Sequence, residues 1–262
     1  MKIMTFLSDF RNNSNYVSQM KGVALSMTDA KLIDITHEIS PHNIKEAAFI
    51  LKTTIPYFPE GTVHVAVVDP GVGTSRKGIV VTARTQILVG PDNGLLIPAA
   101  KSLGNFTVYE ITNRELMLNS ISNTFHGRDV FTPVASHILN GVLFEEIGHV
   151  INNYINLDFG EFEIKDNKIT AKIIYVDSFG NIITNIDALK LSQVLEYNKK
   201  IKLFIGRRRI DIPFVRAYNY VKPGELLTTI GSSNLLEISI NQGNAFKKLG
   251  LKTDSEISLI LD

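Results

Sequence analysis

The chain has 262 residues, 44% hydrophobic and 20% charged, with 27 Lys+Arg against 26 Asp+Glu, so its formal net charge is +1. A near-neutral chain offers no general field for nucleic acid or anionic lipid, which leaves a small molecule as the expected partner. The absence of cysteine removes disulfides, iron–sulfur clusters, thiolate nucleophiles and cysteine-ligated zinc.

The opening "MKIMTFLSDF" is too short an apolar run for a signal-peptide core, and no segment reaches spanning length, so a cytoplasmic protein is expected. Residues 1–7 and 31–35 read as short buried strands. Between them, Val17, Met20, Val23, Ala24 and Met27 recur at helical spacing over 15–27. "NIKEAAFILKTTIPYF" reads as a second amphipathic helix, and the β-branched run "TVHVAVV" (62–68) as a strand covered on both faces. This alternation predicts an α/β domain: a mostly parallel sheet flanked by helices.

Past residue 150 the texture changes to short β-rich runs broken by turn signals, "DSFGN", "IGRR", "KPGE" and "GSSN". That pattern predicts a small C-terminal antiparallel β-barrel-like domain. The expected division is 1–155 and 168–262, with the boundary inside 152–167.

Three stretches could carry chemistry. Asp69 of "VVDPGVGTSRKG" follows a run that reads as a parallel strand, at the end where open α/β sheets place their ligands. Gly71 and Gly73 would let backbone approach a ligand, and Arg76 is near enough in sequence to pair with Asp69. Equally, Asp69 could cap its own tight turn. The segment lacks the third glycine of a dinucleotide fingerprint and runs into a strand rather than a helix.

"TFHGRD" gathers His126, Arg128 and Asp129 ahead of a helix expected over 128–140; alternatively Thr124 or Asp129 simply caps that helix. "SDF" puts Asp9 directly after the first strand, on the same sheet edge as Asp69 if the two strands run parallel. Asp177 and Asn181 flank Phe179 in a segment that reads equally as a plain hairpin turn. His37, His42, His64, His137 and His149 show no metal-ligand spacing and are assigned to structure or surface, and "RRR" (207–209) to a solvated hairpin tip.

Taken in order, "SDF", "MKG", "DITHEI", "FPEGTVHVAVVDPGVGTSR", "PDNGLL", "TFHGRD", "FGNIITNI" and "SSNLLEISINQGNA" closely resemble the S-adenosylmethionine hydrolase family, also called SAM hydroxide adenosyltransferases, over nearly the whole chain. The family is related to fluorinase and chlorinase. The resemblance implies hydrolysis of S-adenosyl-L-methionine to adenosine and methionine, without metal or cofactor. It implies a homotrimer whose substrate lies between one subunit's N-terminal domain and a neighbour's C-terminal domain.

By motif, Asp69, Arg76 and His126 would be the catalytic group, and Asp9 the residue that grips the ribose diol. Asn181 would contact the nucleoside and methionine ends, Ser232 and Glu237 the methionine amino acid, with Phe179 and Ser233 as neighbours. Either Asp69 or His126 would take or steer the proton of the attacking water. An anionic Asp69 would repel halide, which disfavours a halogenase. A non-catalytic sensor that binds S-adenosylmethionine or adenosine is the alternative, separable by whether turnover occurs. Arg11 stands where the family usually has glycine.

Overall fold

The computed structural model describes residues 1–261 and divides into two compact units, Met1–Asp158 and Phe159–Asp262. In the first unit, six strands alternate with helices. They are β1 (Ile3–Ser8), α1 (Asn15–Met27), β2 (Lys31–Thr36), α2 (Ile44–Thr54), β3 (Val63–Val67), β4 (Gly78–Ala83), β5 (Gln86–Pro91), α3 (Ile97–Leu103), β6 (Phe106–Glu110), α4 (Thr132–Leu139) and the short α5 (Phe144–Ile147). The sheet order is β2-β1-β3-β5-β4-β6.

β1 pairs in parallel with β2 and β3, and β3 with β5, while β4 runs antiparallel to both its neighbours. The sheet is therefore mostly parallel with one reversed strand. That strand follows from the short β3–β4 and β4–β5 connections, which hold no crossover helix. Alternate residues of β3 face opposite layers: Val63, Val65 and Val67 pack with Met20, Phe131 and Val134, and Ala66 with Ala47, Leu51 and Leu96. Burial on both faces is the reason β3 reads as an unbroken apolar run.

β1 and β3 are adjacent and parallel, with Ser8 opposite Val67. Asp9 and Asp69 thus leave the carboxyl ends of neighbouring strands, on one edge of the sheet.

The second unit holds β7 (Glu163–Lys165), β8 (Lys168–Val176), β9 (Ile182–Asp187), α6 (Ala188–Leu191), β10 (Lys200–Ile205), β11 (Arg208–Pro213), β12 (Leu226–Ile230), β13 (Leu235–Ile240), α7 (Ala245–Leu249) and β14 (Glu256–Leu261). Its strands run in the order β11-β10-β14-β8-β9-β13-β12, every named pairing antiparallel, with β7 beside β8. A bridge between Phe214 and Thr228, backed by Val215 N–H to Thr228 C=O at 2.9 Å, joins the two end strands. The sheet is consequently a nearly closed barrel around Ile173, Ile182, Leu203, Leu236, Ile238 and Leu259, which leaves little unpaired edge.

The "RRR" triplet does lie at an exposed hairpin, where Gly206 turns with φ 58° between β10 and β11. Among the described residues, no helix is long and apolar enough to cross a membrane.

Candidate active site

Asp69 lies in the loop between β3 and β4, and its side chain does not cap its own turn. Its carboxylate faces the guanidinium of Arg76: Nε donates to Oδ1 at 3.1 Å and Nη2 makes a shorter contact with Oδ2. Both side chains are almost wholly removed from solvent, 6% and 9% exposed. Arg76 is also held by Lys77 C=O, which accepts from Nη1 at 3.0 Å, and its guanidinium sits over the ring of Phe131. Two-edged bonding of this sort fixes a planar guanidinium far more firmly than a single contact would.

Arg76 Nη2 lies 3.1 Å from Nδ1 of His126. A guanidinium only donates, so Nδ1 accepts, and the neutral imidazole carries its proton on Nε2. Burial and then the neighbouring Arg76 cation hold His126 below the ordinary histidine range, against the opposing pull of Asp69 and Asp129. The three residues expected to act together are thus in one hydrogen-bonded chain, Asp69–Arg76–His126.

The backbone brings His126 there through a close approach of two loops. Gly73, at φ 78°, lies against Asn123, and a Cβ built on it would stand 2.4 Å from the Asn123 carbonyl oxygen. Asn93 supports the other side: its Nδ2 donates to Val68 C=O at 2.8 Å, next to Asp69.

The helix expected over 128–140 begins differently. Gly127–Phe131 form a π-turn, and the α-helix starts only at Thr132. Pro133 has no N–H to give the carbonyl of Asp129, and Leu118 N–H takes that role at 2.9 Å. Thr132 closes the widened turn, donating to Gly127 C=O through both its N–H and, at 2.7 Å, its hydroxyl. Neither Thr124 nor Asp129 caps this helix. Asp129 is fully buried, accepts from Ser122 N–H at 2.8 Å and is gripped by Arg128, so it braces the loop that carries His126.

Asp9, Phe10, Tyr16, His42, Asp69, Phe125 and His126 share the wall of one cavity of about 290 Å³. Asp9 Oδ2 accepts the backbone N–H of His42 at 2.9 Å, while His42 itself adopts φ 63°. Sequence reading missed that contribution, since a backbone donor leaves no side-chain signal. Phe10, Tyr16 and Phe125 meet edge-on or tilted, with ring centroids 5.0–5.6 Å apart, and give the cavity an apolar side. The site thus couples a carboxylate able to accept two hydroxyls with a buried ion pair and a neutral imidazole.

In the second unit, Asp177 organises the β8–β9 hairpin. Its Oδ1 accepts from Phe179 N–H and Asn181 N–H at 2.9 Å each, and its Oδ2 from Asn181 Nδ2 at 2.8 Å. The hairpin-turn reading describes this segment, with Phe179 projecting from it 76% exposed. Glu237, buried on β13, accepts from the hydroxyls of Tyr218, at 2.7 Å, and Ser239. Burial and the Glu237 carboxylate push the Tyr218 phenol up, keeping it a donor. Ser232 is exposed and Ser233 half-buried in the turn just before β13. Gly231 in that turn lies over Glu237, where a Cβ would stand 2.6 Å from Oε2.

The sequence pattern of the SAM hydroxide adenosyltransferase N-terminal domain matches residues 4–148, and that of the C-terminal domain residues 171–258. The chain is 38% identical to the (R)-S-adenosyl-L-methionine hydrolase of Methanocaldococcus jannaschii, an alignment covering 99% of this chain and 96% of the relative. It is 35% identical to the enzyme of the same name from Salinispora tropica, over 95% and 94% of the two chains. A solved structure of an uncharacterized conserved protein from Thermotoga maritima superposes with a TM-score of 0.92 at 38% identity, covering 98% of this chain and 100% of that one. With both halves matched in order and the relatives aligned end to end, the chain belongs to the SAM hydroxide adenosyltransferase family.

Proposed function

We propose that this protein hydrolyses S-adenosyl-L-methionine to adenosine and L-methionine, water attacking the ribose C5′ while the sulfonium leaves as methionine's neutral thioether. The observation that carries the reading is the Asp69–Arg76–His126 chain, whose Asp69 and His126 line one cavity with Asp9. Its support from outside the structure is the hydrolase name borne by relatives aligned over nearly the full chain.

The leaving group needs no acid, so the work falls on the nucleophile. Asp69 keeps lone pairs beyond the two it gives Arg76 and is the proton acceptor for the water, while His126 offers Nε2–H to orient it. Arg76 holds the carboxylate in place and steadies the charge that develops as the water is deprotonated. Hydroxide and sulfonium neutralise one another on the way to products, a change that a dry pocket favours and that calls for no metal or other cofactor. Asp9 receives the ribose diol, since one carboxylate accepts two hydroxyls.

The second unit contributes Asn181, Glu237 and Ser232 to the nucleoside and methionine ends, with Phe179 and Ser233 beside them. A homotrimer in which a neighbouring copy supplies these residues, and a cytoplasmic location, belong to the same proposal and rest on the family resemblance and on the cysteine-free composition.

The test is chromatography of purified protein incubated with S-adenosylmethionine in halide-free buffer. Equimolar adenosine and methionine above the spontaneous background, lost in Asp69→Ala, is the expected result. Stoichiometric binding with the substrate recovered intact would overturn the reading.

A further inference from the structure

A second chain of polar contacts begins at the residue before Asp9 and uses side chains given no part in the reaction above. Ser8, the last residue of β1, is fully buried, and its Oγ lies 2.7 Å from Nδ1 of the equally buried His37, just past the end of β2. On the other side of the ring, Nε2 lies 3.1 Å from Asp34 Oδ1, in contact though without the alignment of a hydrogen bond. Asp34 Oδ2 accepts from Lys21 Nζ at 2.6 Å. Burial works against the Asp34 carboxylate, but Lys21 and His37 outweigh it and hold the group below the ordinary carboxylate range.

The spacing resembles that of a Ser-His-Asp triad, yet Ser8 has no access to substrate and its oxygen already accepts Phe10 N–H at 3.3 Å. What the chain can do is orient. A carboxylate beside Nε2 favours the tautomer with its proton there, leaving Nδ1 to accept the Ser8 hydroxyl proton. The Ser8 lone pairs are then turned toward Phe10 N–H, which fixes the peptide joining Asp9 to Phe10. The same loop is tied to the His37 segment by Arg11 N–H to His37 C=O at 2.8 Å. It is tied further by Asn12 N–H to Glu38 Oε1 at 3.0 Å, and by Asp9 itself to His42 N–H. Each of these polar contacts around Asp9 leads to the segment that begins at His37.

We propose that His37, wedged between Ser8 and Asp34, is a positioning residue that aims the Asp9 carboxylate and so sets affinity and selectivity for the ribose diol. The inference rests on Asp9 being the ribose-binding residue of the proposed hydrolase. His37 touches no substrate, and its loss should weaken binding of the ground state more than it slows the chemical step.

The experiment measures kcat and KM for S-adenosylmethionine alongside calorimetric affinities for adenosine and 2′-deoxyadenosine. For His37→Leu, KM and the adenosine dissociation constant should rise about five- to tenfold, the worth of one well-made hydrogen bond, with kcat little changed. The preference for adenosine over 2′-deoxyadenosine should shrink. His37→Asn, which keeps an acceptor for Ser8, should recover most of both.

Asp34→Asn and Lys21→Met change part-exposed side chains and should shift the same quantities in the same direction even if His37→Leu fails to fold. An unchanged adenosine preference in these variants, or a fall in kcat at constant KM, would overturn the inference while leaving the hydrolase standing. Wild-type protein that neither turns over S-adenosylmethionine nor binds adenosine would overturn both.

Discussion

Arg76 Nη2 touches Asp69 Oδ2 and His126 Nδ1 at once, so one nitrogen joins the carboxylate and the imidazole. A lysine ammonium is a point charge and cannot also span the second carboxylate oxygen and Lys77 C=O. Arg76→Lys should therefore lower kcat by about 10²- to 10³-fold with a much smaller change in KM. The initial rate of adenosine release checks this; a loss below about threefold would remove Arg76 from the reaction.

His126 should shape the acid side of the pH profile. Its ring is held neutral below the ordinary value of 6.5. Protonation would place a second donor against the guanidinium and break the chain, so kcat/KM should stay level as pH falls through 6.5 and decline only lower. A decline centred at or above 6.5 would contradict the assignment.

Gly73→Ala combines a left-handed backbone with a Cβ 2.4 Å from the Asn123 carbonyl oxygen. Either the loop moves or the residue is strained, at about 1–3 kcal/mol. Activity should fall more than stability, because the displaced loop joins Asp69 and Arg76. Urea titration and turnover on the same preparation would show it.

His64 gives a stability signature separate from catalysis. It is buried between Thr5 Oγ1 at 2.7 Å and Gln86 Oε1 at 3.1 Å, and burial lowers it to about 4. Between the unfolded value of 6.5 and 4, the unfolded chain binds the proton and the native one does not, so stability is present above 6.5 and lost on acidification. The full loss is about 3 kcal/mol. Denaturation between pH 6.5 and 5, before ordinary carboxylates titrate, should show this slope in wild type and a flatter one in His64→Phe.

Glu237→Gln replaces an acceptor-only group with one that partly donates, opposite two hydroxyls. If Glu237 holds the substrate's α-ammonium, KM for S-adenosylmethionine should rise by at least tenfold. Affinity for adenosine, which has no such group, should barely change; equal losses for both would point to a damaged fold.

Much of this architecture was legible because burial leaves a pattern. The run Val63–Val68 announced a doubly covered strand, and the position of Asp9 and Asp69 after apolar strands put both on the ligand edge. What stayed hidden depends on three-dimensional neighbours. The His42 N–H that holds Asp9 and the Tyr218 hydroxyl on Glu237 lie 33 and 19 residues away in sequence. His37 carries no ligand spacing, so it read as one more histidine of structure or surface. The late start of α4 was signalled by Pro133, whose missing N–H was visible in the sequence although its consequence at Asp129 was not.

That widened turn takes up one extra residue without changing the aim of His126. Deleting one residue within 128–131 would let an ordinary helical turn form, with Thr132 N–H closing on the same Gly127 C=O across four residues instead of five. Everything before it would keep nearly its present phase around the helix axis, and His126 would still face Arg76. What the extra residue secures is Asp129, whose carbonyl is turned out to Leu118 N–H and whose carboxylate holds Ser122 N–H, so in this chain the length of that turn serves the brace of the histidine loop rather than the direction of the ring.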